Sequence, residues 1–94
     1  MSGGFFDYDQ YRIRQIADSL EDVIIKNGKK RQNKESWEDE YYFEYSPEVI
    51  AKFKEGLKIL RIAEIYAHRI DWLLSGDDGE KTFFERLESD LSKL

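Results

Sequence analysis

The sequence predicts an all-α domain of three helices with a long central helix and an extended aromatic segment between the first and second. Three observations carry that expectation. Apolar residues recur at three- and four-residue spacing in three separate segments, as they do along the buried face of a helix. The middle segment opens on Ser46-Pro47-Glu48 and closes on Ser75-Gly76, a strong start and a strong stop. Period-two spacing is confined to the stretch from Trp37 to Tyr45, and a lone strand finds no partner within the chain.

Taken in order, residues 1–6 (MSGGFF) form a short lead. Gly3-Gly4 disfavours a helix, and Phe5 and Phe6 are expected to anchor the end on the core. The first helix is expected over about residues 8–27, with Asp7 or Asp9 as N-cap. Ile13, Ile16, Ala17, Leu20, Val23 and Ile24 share one face, and Asn27-Gly28 supplies the stop.

Charge then changes abruptly. Lys26, Lys29, Lys30, Arg31 and Lys34 are followed by Glu35, Glu38, Asp39, Glu40, Glu44 and Glu48. Residues 26–36 are expected to be a mobile loop. Trp37, Tyr41, Phe43 and Tyr45 are expected either to lie across the helices as irregular structure or to pair with their copy in a dimer.

The central helix is expected over about residues 47–75. Val49, Phe53, Leu57, Leu60, Ala63, Ala67, Ile70 and Leu74 centre a wide apolar arc, with Ile59, Ile62, Tyr66 and Leu73 on one flank. One neighbour cannot cover such an arc. It should contact both other helices and a second subunit, so a homodimer or higher homo-oligomer is expected. The last helix is expected over about residues 79–93, capped by Asp77 or Asp78 with Glu80 in capping-box spacing, and facing the core through Phe83, Phe84, Leu87, Leu91 and Leu94.

Composition sets outer limits. Ninety-four residues make one helical domain spanning 1–94, without room for two cofactor-binding halves. The chain is 40% hydrophobic and 37% charged with net charge −5, which is too apolar for disorder. It has no apolar run of about 18 residues and no signal-peptide pattern, so no membrane partner is expected. Cysteine is absent, which fits a reducing, cytoplasmic setting. The acidic balance argues against duplex nucleic acid as a partner.

Two candidate binding surfaces emerge. Lys58, Arg61, His68, Arg69 and Trp72 fall on one stripe of the central helix, where cations could hold an anionic ligand such as a signalling nucleotide and the indole could stack a base. The alternative is a solvated face whose charges pair with Glu55 and Glu64. Trp37, Tyr41, Phe43 and Tyr45, set among acids, suit a basic groove on a partner protein, or else pack as an aromatic strap on the bundle. Glu64 and Asp71 are expected to make salt bridges to Arg12 or Arg14 rather than catalyse. The run GDDGE lacks the alternating ligands of a calcium loop, and a single histidine without cysteine makes no usual zinc site. No catalytic residue, metal site or cofactor is expected.

With GGFFDYDQYRIRQIADSLEDVI at one end and IYAHRIDWLLSGDDGEKTFFERLESDLSKL at the other, the chain resembles small proteins of bacteriophages and prophages. The resemblance implies a non-enzymatic binding protein in the cytoplasm of a bacterial host. Such a protein blocks or sequesters a host component, with an anti-defence inhibitor among the forms expected. A small-ligand binding protein and a structural assembly subunit are the alternatives.

Overall fold

A computed structural model describes residues 4–30 and 42–94. Three helices follow in order: α1, Gln10–Lys26; α2, Pro47–Leu74; α3, Glu80–Ser92. α1 and α3 both pack on α2 and not on each other. The all-α, three-helix fold with a long central helix is therefore as expected, and none of the described residues forms a strand.

α2 begins as its sequence requires. The Ser46 hydroxyl accepts the Val49 amide at 3.3 Å, and Pro47 stands in the first turn, where its missing N–H costs nothing. After α2, Gly76 takes φ +80° and turns the chain back for α3. The start of α3 departs from expectation. Gly79, not Asp77 or Asp78, is the N-cap, and the Thr82 hydroxyl closes the turn by accepting from the Gly79 amide and donating to its carbonyl, each at 3.2 Å. α1 starts at Gln10, two residues later than expected. Asp9 precedes it with helical dihedrals and no side-chain cap, and its carboxylate instead meets Arg12 at 3.3 Å.

The N-terminal segment is tied to the far end of α2. Asp71 is 5% exposed, and its Oδ1 accepts the Phe6 amide at 2.8 Å. Its Oδ2 accepts from the Gln10 side chain at 3.3 Å, and the Ser75 hydroxyl accepts the Phe5 amide at 2.8 Å. The backbone amides make this attachment; the Phe5 ring, expected as an anchor, is 59% exposed. Gly4 stands at φ +69° so close to the carboxylate that an added Cβ would lie 2.7 Å from Oδ2. Asp7 and Tyr8 follow with φ of 53° and 66°, a left-handed pair that costs about 1 kcal/mol or more per residue. The grip of Asp71 on both sides of this turn holds the strained backbone in place.

At the other end of α1, the Asn27 side chain donates to the Tyr45 carbonyl at 3.2 Å and accepts the Tyr45 amide at 2.8 Å. The Gly28 amide reaches the Phe43 carbonyl at 2.7 Å, and Asn27 and Phe43 form an isolated parallel bridge. Residues 26–30, part of the expected loop, are thus bonded to residues 42–45; the remainder of that loop lies outside the described residues.

The radius of gyration is 17.9 Å and the principal extents are 56 × 28 × 15 Å. A compact chain of this length has a radius near 12 Å. The helices form a thin slab one layer deep, and Ala17 is the one buried hydrophobic residue among those described.

Asp71→Ala is expected to cost about 2 kcal/mol of stability, since it strips two donors of a buried acceptor. Gly4→Ala should cost at least about 1 kcal/mol, because its φ and the nearby carboxylate both oppose a Cβ. Urea denaturation followed by circular dichroism measures both.

Candidate functional site

Ionised residues reach between the helices. From α2, Arg61 approaches Asp18 at 2.8 Å and Glu21 at 3.6 Å, both on α1, and Glu64 at 3.9 Å. The hydrogen bond to Asp18 raises the Arg61 pKa above the ordinary guanidinium value, against an opposing push from burial. About two helix turns further along α2, Arg69 donates to Asp90 of α3 at 2.6 Å. That hydrogen bond, opposed by burial and helped by the charges of Arg69 and Lys93, holds the Asp90 carboxyl below the usual carboxylate range.

The expected basic stripe is thereby divided. Arg61 is turned to α1 and Arg69 to α3, each onto an acid, while Lys58 remains exposed. Glu64 pairs weakly with Arg61 as one alternative foresaw, but Glu55 pairs with Lys52 at 3.2 Å. Trp72 has the Arg69 and Arg86 guanidinium groups over its ring at 5.2 and 5.7 Å, and the His68 ring lies 5.1 Å away. The indole is engaged by cations of its own chain. A shallow depression of about 350 Å³ brings Arg86 and Lys93 of α3 beside Arg69, Trp72 and Asp90. Those α3 residues were missed from sequence, because their place depends on how α3 folds back on α2.

Glu64 and Asp71 do not bridge to Arg12 or Arg14 as expected. Arg12 pairs with Asp9, and Asp71 is spent on the N-terminal turn. Burial at the helix crossing favours an acceptor that fixes backbone amides over a solvated ion pair.

A cleft of about 190 Å³ opens between Gln10, Tyr11 and Arg14 of α1 and Glu64, Ile65 and His68 of α2, with Asp90 of α3 also bordering it. Of the stripe residues singled out from sequence, only His68 reaches it. Tyr11 and Arg14 fall outside the 3–4 pattern that marks the apolar face, and Gln10 falls on it but is polar, so apolar periodicity gave no signal for them.

Of the aromatic segment, Phe43 and Tyr45 are described; Trp37 and Tyr41 lie outside the described residues. Phe43 and Tyr45 stack at 6.2 Å, and Tyr45 meets Phe53 of α2 edge-on at 5.4 Å. This portion is irregular structure strapped across the helix ends.

Each helix also turns large apolar side chains to solvent: Ile16 on α1, Ile59, Tyr66 and Leu74 on α2, and Phe84 on α3. All five are exposed, Ile59 at 65% and Phe84 at 66%. Among the described residues, no helix is long and apolar enough to cross a membrane.

Asp90→Asn is expected to lower stability by about 1 kcal/mol at neutral pH. The depressed pKa of Asp90 contributes stability above the unfolded carboxyl value of about 3.9, lost as pH falls through the folded value. The gap between wild type and variant should therefore close below about pH 4, as read by thermal melts across a pH series.

Compared with known proteins, the chain matches no family model, no curated protein and no solved structure.

Proposed function

We propose that this chain is a non-enzymatic binding protein of the phage or prophage kind, acting in the host cytoplasm to block or sequester a host protein. Inhibitors of host defence belong to that class. The observation that supports it is the uncovered apolar surface: Ile16, Ile59, Tyr66, Leu74 and Phe84 are all exposed, in a slab where only Ala17 is a buried hydrophobic among the described residues. Burying one large apolar side chain yields about 1.5–3 kcal/mol, so covering several of them is a strong drive to associate. The slab, 56 × 28 Å across, has room for the roughly 800 Å² per partner of a standard interface. The ion pairs favour a protein over a small anionic ligand, because Arg61 and Arg69 already hold Asp18 and Asp90.

A second reading, a self-associating structural subunit, draws on the spacing along α2. Ile59, Ala63, Tyr66 and Ile70 follow the 4-3-4 step of a coiled-coil seam, which a second copy matches by two-fold symmetry.

The double variant Ile59→Glu, Tyr66→Glu is expected to keep the wild-type circular dichroism and to lose about tenfold or more of the affinity for a partner captured from host lysate. Unaltered capture sinks the apolar surface as the docking site. Light scattering settles the second reading: a wild-type dimer that becomes monomeric in the same variant supports it, and a strict wild-type monomer removes it.

A further inference from the structure

Two features mark the cleft beside His68 as a place for a ligand. Gln10 borders it, but its Nε2 donates to Asp71 and its Oε1 is sealed from solvent, so its amide is not offered to the cleft.

The first feature is charge. Arg14 and Glu64 border the same cleft, yet they are not within ion-pair distance of each other, and Arg14 pairs with no carboxylate among the described residues. The cation nearest Glu64 is Arg61, at 3.9 Å, and Arg61 is more closely held by Asp18 at 2.8 Å. Opposite charges therefore face the space from two helices with a gap between them. The second feature is size. The volume of about 190 Å³ corresponds to roughly six waters at about 30 Å³ each, or a solute of about ten non-hydrogen atoms. Ile65 supplies an apolar wall.

We propose that this cleft binds a free α-amino acid or a zwitterion of that size. Arg14 takes the carboxylate in a forked pair, while Glu64 takes the ammonium. The ligand's side chain lies against Ile65. A solute of one charge satisfies only one wall, and a purely apolar one satisfies neither.

Calorimetry of the full chain against each of the twenty L-amino acids at up to about 10 mM tests this, with N-acetyl and carboxamide derivatives of any binder as single-charge controls. At least one amino acid should bind, and each derivative should bind about tenfold or more weakly. Arg14→Gln, at an exposed position without an ion pair among the described residues, should weaken binding by a similar factor without altering the melting temperature of the free protein. Ile65→Trp, which fills the cleft, should abolish binding. Absence of heat from every amino acid overturns the proposal. So does binding that survives Arg14→Gln, or derivatives that bind as well as the parent. The protein-capture assay above does not depend on this cleft, so either proposal can fail alone.

Discussion

The structure depends most on one carboxylate. Asp71 sits a turn before the end of α2 and is nearly sealed from solvent. It accepts from a backbone amide on one side and from the first residue of α1 on the other. An acceptor so placed leaves no freedom at either contact: the segment around Gly4 must come within touching distance, and α1 must begin where Gln10 can reach. The register of α1 against α2 is set here and again at Asn27, where a reciprocal amide pair holds Tyr45. Between those two ends, Arg61 ties the middle of α2 to Asp18 and Glu21. Directional polar contacts thus position helices that share little closed core.

That arrangement suits a thin slab. Polar contacts need geometry and few atoms, so a thin layer can supply them. A hydrophobic core needs depth, and a layer 15 Å thick has almost none. Large apolar residues are left exposed on all three helices, where only a further molecule can cover them.

Much of the fold was legible in the residues. Ser46-Pro47 and Gly76 bounded α2 because local backbone chemistry decides helix ends there. The width of the apolar arc on α2 foretold contacts with both other helices. Legibility failed where tertiary contacts decide. Asp71 read as a salt-bridge partner for Arg12 or Arg14, since nothing local reveals that a distant amide will claim it. Asp9 does stand at the N-cap as expected, but its side chain makes no cap bond and meets Arg12 instead. The basic stripe was correct as a list of positions on one helix, yet its chemistry depended on acids brought by α1 and α3. The cleft was invisible for the same reason: its charged walls, Arg14 and Glu64, come from different helices.

The attachment of the N-terminal turn also dictates an order of events during synthesis. Phe5, Phe6 and Gln10 find their partners 70, 65 and 61 residues downstream. As the chain leaves the ribosome, α1 emerges early and must wait, with its strained leading turn unsupported, until the end of α2 has also cleared the exit. Closing so long a loop is entropically opposed until α1 and α2 have already zipped together. The segment ahead of α1 is therefore among the last to settle, and a nascent chain halted before Asp71 leaves that segment without its anchor.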